Sequence, residues 1–105
     1  MEVTIDGKHY DTEKAQLIHA WDNGVFSSTD FGYRSKMLYR NRNGDWFIHH
    51  EGGALTDCTQ KYDDNRRTGG EFIEPVTEDD VLKFLQNHGG EIPIADWFGD
   101  RIEDA

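Results

Sequence analysis

The chain is poor in cysteine and in positive charge, and it has no long hydrophobic run. Its single cysteine, Cys58, excludes an internal disulfide and is typical of a protein from a reducing compartment. No apolar stretch approaches the ~20 residues that a membrane-spanning helix needs. The first residues, Met1 to Asp6, have neither the basic nor the apolar region of a signal peptide. We therefore expect a cytoplasmic protein that makes no membrane contact.

Negative charge is what the chain has in excess. It carries 21 Asp and Glu residues against 11 Lys and Arg residues, a formal net charge of −10 over 105 residues. Residues 71–105 contain ten of the acids and two of the bases, whereas 34–70 contain five acids and seven bases. Such a field repels nucleic acid and attracts basic surfaces. Acidic surfaces also keep many proteins soluble, so the charge alone leaves the target open.

The hydrophobic pattern predicts one α+β domain over residues 1–105, in which a small antiparallel sheet packs against two or three helices. Alternation on both sides of Asp6-Gly7 predicts an N-terminal hairpin. Strands are expected over 34–40 and 45–51, joined by a turn at Asn43-Gly44. Successive residues of a strand face opposite sides, so the side chains of the second strand should alternate between two environments.

The remaining segments are predicted from helix-capping residues, apolar stripes and helix-breaking glycines. A first helix is expected from Asp11 or Thr12 to about Asn23, because Leu17, Ile18 and Trp21 form an apolar stripe. A second helix should begin after the N-cap Thr77 and end before a pair of glycines. Three further segments are expected: a polar loop over 57–70, a short strand around Phe72 and Ile73, and a turn at 92–98 followed by an acidic C-terminal tail.

Catalytic or metal chemistry would centre on His49, His50 and Cys58. Adjacent strand residues point to opposite faces, so the two histidines cannot easily share an ion. One histidine and Cys58, with His9 or an aspartate, could bind zinc, but the ligand spacing of known zinc motifs is absent. A nucleophilic thiol needs a base beside it, and nothing in the sequence positions one. We expect no metal, no cofactor and no catalysis; a small metal-dependent or thiol enzyme is the alternative.

Several short motifs along the chain belong together. They are Tyr10-Asp11-Thr12 with Ala15, Leu38-Tyr39-Arg40, Asn43-Gly44, Trp46-Phe47 with His49, Glu51-Gly52-Gly53-Ala54-Leu55-Thr56, and Ile73-Glu74-Pro75 before an amphipathic helix. Together they resemble a family of small proteins that phages and mobile elements carry in bacteria. The resemblance covers roughly residues 3–88 and does not extend to the segment from Glu91 onward; its most specific part is the stretch from Glu51 to Thr56.

The resemblance implies a function, because the family is similar in build and genomic setting to anti-CRISPR proteins. The expected partner is a CRISPR effector nuclease or surveillance complex, with no direct contact to nucleic acid. Effectors of this kind hold nucleic acid in basic channels, and carboxylates can take the place of phosphates there. An immunity-type partner of another basic protein remains an alternative. The candidate partner-binding residues are Glu74, Glu78, Asp79, Asp80, Asp96, Asp100, Glu103 and Asp104.

Overall fold

The computed structural model describes residues 1–24, 31–54, 56–58, 60–63 and 66–101, with the backbone alone over 60–63, 66–68 and 101. Two α-helices and strands in three antiparallel sheets are built from these residues, which confirms the predicted α+β fold. The elements in chain order are β1 (Glu2–Ile5), β2 (Lys8–Asp11), β3 (Gln16–Asp22), β4 (Arg34–Arg40), β5 (Trp46–Gly52), β6 (Gln60–Asp63), β7 (Arg66–Thr68), β8 (Gly70–Val76), α1 (Glu78–Asn87) and α2 (Glu91–Phe98), followed by a 3-10 turn (Gly99–Arg101).

The main sheet has four strands in the order β3-β4-β5-β8. The turn predicted at Asn43-Gly44 joins β4 to β5, and Gly44 has the positive φ of 85° that such turns favour. The predicted N-terminal hairpin is also confirmed, since β1 pairs with β2 around Asp6 and Gly7. No helix among the described residues is long and apolar enough to span a membrane.

The two faces of the main sheet bury different apolar clusters. The helices cover one face, where Trp46 and Ile48 of β5 pack with Val81, Phe84 and Leu85 of α1. On the opposite face the β1-β2 hairpin packs against the sheet, and its Tyr10 meets Phe47 edge-on at 5.4 Å between ring centres. The alternation predicted for the second strand is therefore confirmed, because neighbouring residues of β5 enter opposite clusters.

The helix predicted from Asp11 or Thr12 to Asn23 is wrong, because this segment contains strand β3. Its pairing with β4 shifts between Leu17 and His19, so Ile18 is the extra residue of a β-bulge. Ile18 packs on the helix-side core, His19 contacts Phe84 of α1, and Trp21 contacts His88 directly after α1. Because of the bulge, residues on one face of β3 are not spaced two apart in the sequence. Their spacing therefore resembles that of an apolar stripe on a helix.

Two further predictions need correction. The polar loop predicted over 57–70 contains a short hairpin, in which β6 pairs with β7. The turn predicted at 92–98 is helix α2, in which Pro93 falls in the first turn. The N–H groups of a first helical turn have no partner within the helix, so proline is tolerated there. The strand predicted around Phe72 and Ile73 is confirmed and is longer than expected, as β8.

Candidate partner-binding site

The first turn of α1 holds three consecutive acids, Glu78, Asp79 and Asp80, directly after the N-cap Thr77. Asp80 Oδ2 accepts a hydrogen bond from Thr77 N, and Thr77 Oγ1 accepts one from Asp80 N, both at 3.2 Å. The bond from the Thr77 backbone N–H, with help from its side chain, holds the pKa of Asp80 below its usual value. The positive end of the helix dipole also favours these charges. This turn is therefore a fixed block of negative charge.

Helix α2 brings two more predicted residues to the same end of the sheet. Its C-terminal rings lie against Trp46, with ring centres 5.5 Å away for Trp97 and 5.7 Å away for Phe98. Trp46 pairs across the strands with Val76, the last residue of β8 before the N-cap of α1. The end of α2 and the start of α1 therefore lie at the same end of the sheet. We call the exposed carboxylates at this place the acidic end: Glu78, Asp79, Asp80, Asp96 and Asp100.

The other predicted residues do not join this group in the described part of the chain. Glu74 lies on β8, where its Oε1 accepts a hydrogen bond of 2.9 Å from His50 Nε2. It therefore belongs to a separate network that runs across β4, β5 and β8. Glu103 and Asp104 lie outside the described residues.

Arg40 and Trp97 lie beside the acidic end and were not predicted as site residues. The guanidinium carbon of Arg40 lies 5.0 Å from the ring centre of Trp97 and 5.6 Å from that of Trp46. Both separations are within the range of cation–π attraction. Arg40 is also the cross-strand partner of Trp46. The signal available in the sequence was a tryptophan directly after Asp96 in an acidic segment.

Arg34 organises the network that contains Glu74. Its buried guanidinium donates to both carboxylate oxygens of Asp57, through Nε at 2.6 Å and Nη2 at 3.1 Å. It also donates to the Ser35 carbonyl and to His50 Nδ1, each at 2.7 Å. The hydrogen bond from Arg34 is the main cause that lowers the pKa of Asp57. The network joins β4 to β5 and to the segment after β5.

The bonds of His50 define its protonation. Because Arg34 donates to Nδ1, that nitrogen must accept, and Nε2–H donates to Glu74. Burial lowers the pKa of His50, although the hydrogen bond with Glu74 opposes this shift. Burial also raises the pKa of the Cys58 thiol. A neutral imidazole with both nitrogens bonded and a protonated thiol do not favour a thiol enzyme at this place.

His49 points away from His50, as predicted from strand alternation. Its Nε2 lies 3.4 Å from Glu71 Oε2, without the geometry of a hydrogen bond. The chain's described residues contain one group of three side chains whose donor atoms could surround a metal ion, and it lies elsewhere, on the β1-β2 hairpin. This group is Glu2, His9 and Asp11, with donor atoms within 4.8 Å of one another.

The ligand set on the hairpin can be judged from its surroundings. His9 Nδ1 lies 3.1 Å from Thr4 Oγ1, and His9 Nε2 lies 3.1 Å from Glu2 Oε2, so both ring nitrogens already have partners. The side chains are largely exposed, and exposed acids beside a histidine are common in proteins without metal. One histidine and two carboxylates do form a donor set that zinc accepts.

Comparison of the chain with protein-family models, with curated proteins and with solved structures found no match.

Proposed function

We propose that this protein binds a basic protein surface and keeps nucleic acid away from it. One observation carries the proposal. The first turn of α1 and the C-terminal end of α2 are separated in sequence, but both present their acids at the same end of the sheet. A formal net charge of −10 adds a long-range attraction to basic partners.

The arrangement suits competition with a phosphate backbone. Duplex DNA presents one charge per ~1.7 Å along its axis, so a competitor must hold several negative charges close together. Asp79 and Asp80 are fixed on a helical turn, and the lowered pKa of Asp80 keeps it ionised well below neutral pH. Charges that are already in place lose little conformational entropy when a partner binds.

The specific partner follows from the family resemblance. We propose that the basic surface belongs to the nucleic-acid channel of a CRISPR effector nuclease or surveillance complex, and that the protein acts in the cytoplasm of a bacterial host. In such effectors the guide and target strands lie in a positively charged channel. The protein would occupy this channel without contacting nucleic acid itself and without a cofactor.

The test compares two sets of three neutral substitutions. A pull-down from the host with mass-spectrometric identification supplies the partner. The first variant carries Glu78→Gln, Asp79→Asn and Asp80→Asn; the asparagine can still accept the capping bond from Thr77. The control carries Glu2→Gln, Asp6→Asn and Glu13→Gln, three exposed acids on and beside the β1-β2 hairpin, which covers the other face of the sheet. Both variants lose the same charge, so only position distinguishes them.

We expect the first variant to bind the effector at least tenfold more weakly, and the control to change affinity far less. Charge pairs across a close interface couple by about 1.5–7 kcal/mol, and about 1.4 kcal/mol is a factor of ten. Wild-type affinity should fall as salt rises, because exposed charges are screened within about 8–10 Å. Equal binding to DNA-loaded and free effector would exclude competition, and would favour an immunity-type partner instead.

A further inference from the structure

Trp97 lies next to Asp96 of the acidic end, although it is a large apolar side chain. It is 38% exposed, and its ring meets Trp46 edge-on at 5.5 Å. Asp96 precedes it directly, and Asp100 follows three residues later; both are exposed. Solvent therefore reaches an indole ring that has carboxylates on either side of it along the chain. Aromatic residues with such polar rims are frequent at the energetic centres of protein interfaces.

Arg40 of the chain itself contacts this surface. Its guanidinium carbon lies 5.0 Å from the Trp97 ring centre and 5.6 Å from the Trp46 ring centre, within the range of cation–π attraction. A planar guanidinium can lie flat on an indole ring and still donate hydrogen bonds from its edge to a carboxylate. Trp97 therefore contacts one guanidinium within the chain and is still 38% exposed.

The backbone of α2 adds to the attraction for a cation. A helix carries partial negative charge at its C-terminal end, because its last carbonyls have no partner within the helix. The last turn of α2 contains no basic residue. Asp96 lies in that turn, and Asp100 follows in the 3-10 turn. Helix end, carboxylates and indole ring therefore favour positive charge at one place.

We propose that Trp97, Asp96 and Asp100 form a recognition site for an arginine side chain in the basic partner. The proposal deepens the function above and rests on it for the identity of the partner. The preference for arginine itself can be tested without that partner. Arginine is selected over lysine, because its planar guanidinium can stack on the indole ring and at the same time donate two hydrogen bonds in a fixed geometry to a carboxylate. An ammonium group can also contact an indole ring, as Lys36 does at 5.6 Å from the Trp21 ring centre, but it has no planar fork of donors for the carboxylates.

Model peptides test this without the partner. A deca-arginine and a deca-lysine peptide carry the same charge, and their dissociation constants for the wild-type protein can be measured by calorimetry at low salt. We expect deca-arginine to bind about threefold to thirtyfold more tightly, the range that one cation–π contact gives. Titration of deca-arginine should also shift the indole N–H signal of Trp97 in NMR spectra more than those of Trp21 and Trp46.

Two variants locate the preference. Trp97→Leu should bring the two affinities within about a factor of two of each other, while Ile92→Ala should leave the preference intact. Ile92 is the matched control, since it is an exposed apolar residue on the same helix. Trp97→Phe keeps an aromatic face, should retain part of the preference, and identifies the Trp97 signal. If Trp97→Leu does not fold, Trp97→Phe tests the role of the ring in its place.

Three outcomes would overturn the proposal: equal affinity of wild type for the two peptides, a preference that survives Trp97→Leu, or an indole signal of Trp97 that deca-arginine does not move. The proposed function fails in a different way, through binding of the effector that DNA does not oppose. An arginine preference that depends on Trp97 would stand in that case, and it would then describe a basic partner outside nucleic-acid channels.

Discussion

Arg34→Met removes the centre of the network that joins β4, β5 and the segment after β5. Arg34 is 8% exposed, and its guanidinium donates to Asp57, to the Ser35 carbonyl and to His50 Nδ1. Methionine keeps most of the aliphatic stem but none of the donors. We therefore expect the network to open while the apolar packing around it stays in place.

The size of the effect follows from the exposure of the partners. His50 Nδ1 loses its donor at a buried position, and an unsatisfied buried group costs about 1–3 kcal/mol. The Ser35 carbonyl loses a hydrogen bond from a charged donor, which contributes about 1.5–3 kcal/mol at most, because Ser35 is also paired with neighbouring strands. The Asp57 side chain is 69% exposed and can be hydrated, so its ion pair adds about 0–1 kcal/mol. The substitution also removes the cost of burying the charged guanidinium, and this offsets part of the loss in stability. The free energy of unfolding should fall by about 2–4 kcal/mol.

Urea unfolding followed by tryptophan fluorescence measures this change. The control is Arg42→Met in the exposed turn between β4 and β5, where a surface substitution should alter the free energy of unfolding by about 0.5 kcal/mol or less. An NMR titration gives an independent reading: the pKa of His50 should rise in the Arg34→Met variant, because Arg34 lowers it in the wild type. A destabilisation equal to that of the control, with an unchanged His50 pKa, would refute the role given to Arg34.

Two further predictions concern protons and metal. Burial lowers the pKa of His50 and His88 below 6.5, so the unfolded chain binds more protons than the folded one below that pH. The free energy of unfolding should therefore fall between about pH 6.5 and 5 and stay nearly constant between about 7 and 8; urea midpoints across this range check it, and a constant value throughout would contradict it. Elemental analysis of protein purified without added metal should find no stoichiometric zinc; one zinc per chain that disappears in His9→Ala would instead assign it to the β1-β2 hairpin.

The sequence predicted the elements whose pattern is regular. The hairpins around Gly7 and Gly44 follow from turn residues and alternation, and the start of α1 follows from Thr77 and its acids. Strand β3 was missed because its bulge at Ile18 breaks the two-residue period on which a strand prediction depends. The pairing of β6 with β7 was missed because its residues show no alternation of apolar and polar side chains.

The candidate site was predictable only in part. The acids of α1 stand next to one another in sequence, so their grouping needed no structure. Their proximity to Asp96 and Asp100 depends on α2 folding back to Trp46, and Pro93 had indicated a turn in place of that helix. The contact of Arg40 with Trp97 depends on the same return. Tertiary contacts of this kind leave no periodic trace in a sequence.

The two outer strands of the main sheet have a consequence for solubility. A β-strand at the edge of a sheet offers free N–H and C=O groups to other chains and can seed aggregation. Here β3 carries the bulge at Ile18, which twists that edge, and β8 contains Pro75, which has no N–H to offer. Both borders of an open sheet are thus interrupted. Pairing of this sheet with the sheet of a second copy of the chain is therefore disfavoured at both edges.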